Sequence, residues 1–574
     1  MRNKQAITPY YGMALIALLM IFSFGCTNIS GSDVKSKKSA LSESEMETSI
    51  ETARSSPSAN ASDAGVSKDS GIQDSGTGPQ MDGGMASKRL FSDEAISLDS
   101  ESREAKIIEN VYTDSFVNER RVVKINYNVL TRDQISMNLF SGKNILVNKR
   151  KANNRGGPKD MDWFGVSEDP YVRVVITAVN GLVEGSVWIG AEQFWIRPLG
   201  SQYHLIIDVD ESELEDPPCL TEDKKISADK LDGGVFSEEA GEEKGYRSGG
   251  QPTRILIVYA NSAENYVNNT LGTTMSARAL YTIAEMNDAF DNSNISHEVE
   301  LARVYKTDYD ETCVKYGPIP PGECMYKLED LCYFALDDDE VMDEIHQIRS
   351  DVDADICVLF RHVSCSDESQ ANGGQAWTIE ASGSTEAFAV VEIKQSYGPL
   401  HFAHEVGHLY GCRHQTENPQ QGHYEYAYHR NNGGSCQKHY RTIVSVPCAA
   451  GGCEKVKYFS NPNLDHPQDS NCPLGVSDVN ECYHKINDTA PDIEDFYSPP
   501  SILALPMDEQ IENEEYVFFY ATDFIQNWMG YWPTDYEVKS GGTAYFKADE
   551  IHFFPGFHAH SGSIIRAGKD IILP

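Results

Sequence analysis

Two stretches of the chain, Tyr171–Val179 and Leu182–Ile189, are strand-like apolar runs, and Asn180-Gly181 lies between them. β-branched and aromatic residues at this density predict paired strands, and an Asn-Gly pair accepts the positive φ of a tight hairpin turn. Phe194–Gly200 and Tyr203–Val209 continue the meander, so 95–212 reads as a β module. The pattern then changes. Arg254–Tyr259, Asp355–Phe360 and Ala387–Ile393 are apolar runs with no alternation, which is how strands buried on both faces look. Between them, 263–290 reads as helical, and Asp337-Asp338-Asp339 is expected to open a second helix with Val341, Ile345 and Ile348 on one face. A last helix follows Ala387–Ile393, which is expected as an edge strand in front of it. Strand and helix in alternation predict an α/β domain with a mixed sheet. Beyond residue 505 the pattern returns to short strands, Gly541–Ala548 and Ile551–Ala559, read as a small all-β module.

Length and composition divide the 574 residues further. A chain this long exceeds one core and predicts several domains. Arg2 and Lys4 precede an apolar run from Met13 to Phe24, too short to span a bilayer and suited to a secretory signal. The run ends at Gly25-Cys26, which resembles the lipobox of bacterial lipoproteins; Ser23 stands where that motif usually has Leu. Residues 1–25 are therefore expected to be a signal peptide of lipoprotein type. Cys26 is expected to carry lipid, and 26–94, rich in Ser, Asp and Gly, to form a disordered tether. The expected address is the bacterial cell envelope, at the outer membrane or cell surface, with secretion as the alternative. The polar stretch 213–252 reads as a linker and a place for proteolytic activation, after Arg247. It leaves a peptidase-like region at 253–500 and the C-terminal β module at 501–574. The net charge of −39, from 87 acidic and 48 basic residues, argues against nucleic acid as a partner.

The chemistry concentrates in His404-Glu405-Val406-Gly407-His408-Leu409-Tyr410-Gly411-Cys412-Arg413-His414. On a helix His404 and His408 face the same way, so two imidazoles can reach one metal ion. Gly411 gives the chain the freedom to turn and bring His414 round as a third ligand. Three neutral nitrogens leave a fourth position of Zn2+ open for water, the arrangement of a catalytic site. Glu405, beside the first ligand, is placed to take the proton of that water. His558 and His560 in the tail have no such surroundings and read as polar residues on a strand.

The H-E-x-x-H-x-x-G-x-x-H spacing is the signature of the metzincin zinc proteases, which this chain resembles. Tyr440–Cys448, Lys457–Pro462 and Asn487–Phe496 resemble one branch, the peptidyl-Asp metalloendopeptidases, and the β module with Ile196–Gly200 resembles the propeptide of these enzymes and their reprolysin-like relatives. The resemblance implies a zinc endopeptidase acting on protein or peptide substrates, with Zn2+ on His404, His408 and His414, Glu405 as the catalytic residue, and a zymogen stage. Val444 stands where metzincins have a methionine beneath the metal, and Val446 where relatives often have Tyr. Two other functions remain open at this point: a surface binding protein that keeps the fold without the activity, and a metal-dependent amidase acting on cell-wall peptides.

Thirteen cysteines in an exported chain point to disulfides. Cys448 to Cys453 and Cys472 to Cys482 are spaced for local loops. Eleven cysteines follow Cys219, so they cannot all pair among themselves. Two readings of Cys219 follow. In one, slightly favoured by this parity, it forms a disulfide across the activation cut. In the other, its thiolate takes the open zinc position and a free thiol remains elsewhere, with Cys357 as the example.

Overall fold

A computed structural model describes residues 88–569 apart from internal stretches, the longest being 222–249, 312–323 and 364–372. The signal segment, Cys26, most of the tether and most of the linker, including Arg247, lie outside the described residues.

The N-terminal module begins earlier than residue 95. Leu90 and Phe91 are buried, and bridges join Arg89 to Ser136 and Phe91 to Ile125. Two adjacent apolar residues at the end of a polar tract are enough to pull it into a core. The module is also not purely β. Ser102 caps a helix, α1 (Arg103–Val111), by accepting the Ala105 N–H at 3.2 Å, and Ile107 and Val111 are buried one turn apart. Eight strands follow: β1 (Val117–Lys124), β2 (Gln134–Phe140), β3 (Lys143–Gly157), β4 (Asp160–Val166), β5 (Val172–Val179), β6 (Leu182–Ile189), β7 (Glu192–Pro198) and β8 (Tyr203–Val209). They form one antiparallel sheet in the order β1-β8-β7-β6-β5-β4-β3-β2. The β5–β6 turn uses Asn180 at φ 51° and Gly181 at φ 86°, as the Asn-Gly pair predicts. Alternation divides β7 between two faces. Phe194 and Ile196 fill the module's own core, whereas Trp195 and Arg197 point the other way, toward the peptidase region.

The peptidase region opens with β9 (Thr253–Tyr259). The helical segment expected over 263–290 is broken. A short helix, Asn261–Asn265, leads into a widened turn, Gly272 takes φ 71°, and α2 (Met275–Asn292) starts behind the Thr274 cap. Next come β10 (Val299–Lys306), α3 (Glu329–Ala335), α4 (Glu344–Asp351), β11 (Ile356–Arg361), β12 (Gly374–Ala376) and β13 (Phe388–Glu392). The aspartates at 337–339 do not open α4: Glu340 and Met342 take positive φ, and the helix begins at Glu344. The sheet order is β12-β13-β11-β9-β10, parallel except for β12. Hence β13 is an inner strand, and the short antiparallel β12 forms the edge. The edge strand carries only Gly374-Gln375-Ala376, too little apolar pattern to announce itself. Helix α5 (His401–Leu409) carries the histidine motif, and α6 (Cys482–Ile493) closes the region.

The tail is all-β, as the short strands predict. Nine strands stack as three parallel rungs on three faces, Ile502–Ala504 with Phe524–Gln526 and Glu550–His552, Glu509–Ile511 with Tyr536–Val538 and Phe557–Ala559, and Tyr516–Tyr520 with Thr543–Lys547 and Ile564–Ala567. The chain therefore coils as a three-sided solenoid. Its strand Tyr516–Tyr520 pairs antiparallel with β10 at Arg303 and Val517, so one face of the coil continues the peptidase sheet.

Three disulfides occur among the described residues, Cys324–Cys332, Cys436–Cys472 and Cys448–Cys453. Cys472 thus pairs with Cys436 rather than Cys482. The Cys482 thiol instead lies against the thiol of Cys412, both buried.

Candidate active site

Helix α5 is entirely buried, and that burial determines the protonation of its histidines. His404 and His408 are pushed well below the ordinary imidazole range by burial and by neighbouring histidines, and burial takes His414 down to about 4. All three rings are therefore neutral at pH 7. Each helix ring is also oriented. His404 Nδ1 donates to the Ile443 carbonyl at 2.9 Å and His408 Nδ1 to the Cys412 carbonyl at 2.7 Å, leaving both Nε2 atoms as acceptors. Gly411 takes φ 100°, a torsion costly for any residue with a Cβ, and the chain turns back so that His414 joins the pair. The three Nε2 atoms lie 3.1 to 3.4 Å apart. Neutral nitrogens this close, with no proton between them, repel unless a cation shares their lone pairs, and the donor set is the nitrogen-rich one that suits zinc.

Val444 occupies the space beneath this helix. It is buried, and its Cγ2 would lie 3.0 Å from a Cβ placed on Gly407, so the helix and the 443–445 turn are in direct contact. The smaller valine side chain packs against the helix where a methionine was expected. Val446 is fixed differently from a tyrosine. Its N–H donates to Gln415 Oε1 at 2.9 Å, which ties the turn to the residue after His414.

Glu405 is fully buried and lies next to the histidines. Burial raises its carboxyl to about 7, while hydrogen bonds from Cys219 and Thr221 act in the opposite sense. Thr221 was not legible as a neighbour of Glu405 in the sequence, whereas Cys219 at the metal position was one of the two readings left open. The segment 219–221 enters the cleft alongside β12. Cys219 bridges to Gly374 in parallel, the Leu220 N–H donates to the Gly374 carbonyl at 3.2 Å, and Gln375 Nε2 donates to the Leu220 carbonyl at 2.9 Å. The Thr221 hydroxyl accepts the Ala376 N–H at 2.8 Å and donates to Glu405 at 3.2 Å. The segment thus fills the edge-strand site that a bound peptide would use. Cys219 Sγ stands 3.5 Å from His408 Nε2 and 3.6 Å from Glu405. Cys219 and the three histidines form one group able to hold a metal. Cys219 is not in a disulfide, and Cys357 is a second unpaired thiol, buried in β11. The disulfide favoured by cysteine parity is therefore not formed, because Cys219 is directed at the histidines.

A sequence model described as metallo-peptidase family M12 (Reprolysin_5) matches residues 252–460, the span that contains all of these groups. The chain carries a reprolysin-like metallopeptidase domain. The peptidyl-Asp metalloendopeptidase of Stenotrophomonas maltophilia (strain R551-3) is 29% identical over 315 residues, covering 54% of this chain and 67% of the relative. The enzyme of the same name from Xanthomonas campestris pv. campestris is 29% identical over 326 residues, 56% of this chain and 68% of the relative. The crystal structure of metalloproteinase-II from Bacteroides fragilis aligns with a TM-score of 0.29 at 11% identity, covering 55% of this chain and 86% of that one. The metallopeptidase domain is accordingly that of a metalloendopeptidase. An M12 domain implies a metal, and the cluster at His404, His408, His414 and Cys219 has the donors to hold it.

The face of the domain behind the cleft is covered by the N-terminal module. Helix α2 lies across β5 and β6, and the seam is ionic. Arg278 meets Glu184 at 2.7 Å, Ser186 donates to Glu285 at 2.5 Å, and Arg150 meets Asp288 at 2.6 Å. Lys457 binds Glu285 and Asp288 at 2.6 and 2.8 Å from the peptidase side.

Proposed function

We propose that the chain is a zinc-dependent endopeptidase made as a latent precursor and exported to the cell envelope. The observation that carries the reading is the convergence of three neutral, oriented imidazoles beside a buried glutamate, with a peptide segment of the same chain laid along the edge strand. His404, His408 and His414 would hold the metal, which when bound supplies Lewis acidity toward the scissile carbonyl and acidity to a water molecule. Glu405, buried beside the three histidines, is placed to take a proton from that water and return it to the leaving amine. β12 offers its free edge to the substrate backbone, as it does to 219–221.

In the latent form, Cys219 would offer the metal a fourth donor beside the three histidines, and the Thr221 hydroxyl donates to Glu405. Cutting the linker at 222–249 separates this segment from the peptidase chain and lets the N-terminal module leave. The relatives are named for aspartate, and we extend to this chain a preference for bonds beside an acidic residue. Lipid on Cys26 would hold the enzyme at the membrane. Glu405→Gln is expected to keep one zinc per chain and to lose about a thousandfold in peptide turnover by the cut protein, the range of a lost general base. Full turnover with zinc retained would reject the mechanism.

A further inference from the structure

The 219–221 segment is not the only part of the N-terminal region that meets the peptidase side near α5. Another lies eight residues upstream. Glu211 begins the short turn Glu211–Glu213 after β8, and its carboxylate accepts the backbone N–H of Lys455. Lys455 belongs to the two-residue strand Glu454–Lys455, which pairs in parallel with Tyr440–Arg441, so Lys455 and Arg441 are register partners. Both cations act on Glu211 and lower its pKa, against the larger effect of burial.

These cations sit beside the candidate metal site. Arg441 is buried, and its Nη1 donates to the Ser445 carbonyl at 3.0 Å, in the turn whose Ile443 carbonyl orients His404. Lys455 is close enough to act electrostatically on His401, His404 and Glu405, and Arg441 on His401. His401 lies one helical turn ahead of His404 on α5. Two positive side chains thus lie near α5 in a chain with 87 acids against 48 bases, and the carboxyl group of Glu211, kept protonated by burial below about pH 8, meets them. The N–H of Lys455 gives that carboxyl group a directed donor, which adds shape.

We infer that Arg441 and Lys455 form the subsite that receives the acidic side chain of the substrate, and that Glu211 occupies it in the latent form as a built-in stand-in. The inference rests on the endopeptidase reading above. The precursor then blocks the cleft at two points, the metal position through Cys219 and the specificity pocket through Glu211. When the module leaves, the subsite opens to water. Burial no longer opposes ionisation there, and both cations remain.

The test uses the full-length protein cut in its linker and three peptides that differ at one position, Asp, Asn or Lys. The wild type is expected to favour Asp over Asn in kcat/KM by at least about tenfold, since a site built for a charged partner rejects its neutral isostere. Lys455→Glu is expected to move the preference from Asp toward Lys by at least about tenfold, a change that loss of structural support cannot produce. Arg441→Lys, which keeps a charge while giving up the bond to Ser445, serves as the second variant and is expected to retain the Asp preference. Equal turnover of the Asp and Asn peptides by the wild type would overturn the inference and leave the endopeptidase reading standing. A uniform fall for all three peptides in Lys455→Glu would also overturn it. No turnover of any peptide by the cut wild type would overturn the endopeptidase reading, and the inference with it.

Discussion

Replacing Cys219 with alanine separates the two ways in which the 219–221 segment closes the cleft. The change removes the sulfur that stands 3.5 Å from His408 Nε2 and 3.6 Å from Glu405. It leaves four hydrogen bonds at 2.8 to 3.2 Å: Leu220 N–H to Gly374, Gln375 to Leu220, Ala376 N–H to Thr221, and Thr221 to Glu405. At about 1 kcal/mol net for each, they hold the segment with about 4 kcal/mol. A substrate competes for the same donors on β12, so about half of that remains effective, equivalent to about 30-fold occlusion. Uncut Cys219→Ala protein is therefore expected to hydrolyse a quenched fluorescent peptide measurably faster than the uncut wild type. It should still fall about 30-fold short of the cut enzyme. Activity equal to that of the cut enzyme would show that the strand-like pairing contributes nothing. Activity equal to that of the uncut wild type would show that the thiol contributes nothing, and would refute its placement at the metal.

Lys457→Met removes the buried cation shared by Glu285 and Asp288, which keep Ser186 and Arg150 as partners, and should cost up to about 3 kcal/mol of stability in urea unfolding; no measurable change would show that Ser186 and Arg150 suffice. Burial raises Glu211 to about 8 in the docked module, so docking binds a proton there. That contribution is complete below the ordinary carboxylate range and is lost as pH rises through about 8, at no more than about 1.4 kcal/mol per pH unit. Release of the module from cut protein, followed by size-exclusion chromatography, should therefore increase from pH 5 to pH 8, and the increase should be smaller in Glu211→Gln. Cys26→Ser is expected to move the protein out of the bacterial membrane fraction, and its retention there would reject the lipid anchor.

Local signals carried much of this architecture. The Asn180-Gly181 hairpin, the buried strands β9, β11 and β13, and the helix presenting His404 and His408 each follow from a handful of adjacent residues whose torsions and periodicity have few alternatives. Even the turn to His414 was legible, because Gly411 can adopt a φ of 100° that other residues avoid. Tertiary structure decided which distant segments meet. For Cys219 the sequence left a disulfide and the zinc position both open, and only packing directs it at His408, 189 positions away, and brings Thr221 to Glu405. The edge strand β12 has only three residues, and its role comes from the pairing that places it beside α5. The pairing of Cys436 with Cys472, the strand at Tyr516–Tyr520 that extends the peptidase sheet, and the meeting of Glu211 with Lys455 across 244 positions have the same origin. Periodicity and turn chemistry act over a few residues, and they set the local path of the backbone. Contacts between remote residues depend on how whole elements pack to bury their apolar faces, and that information is spread over the entire core.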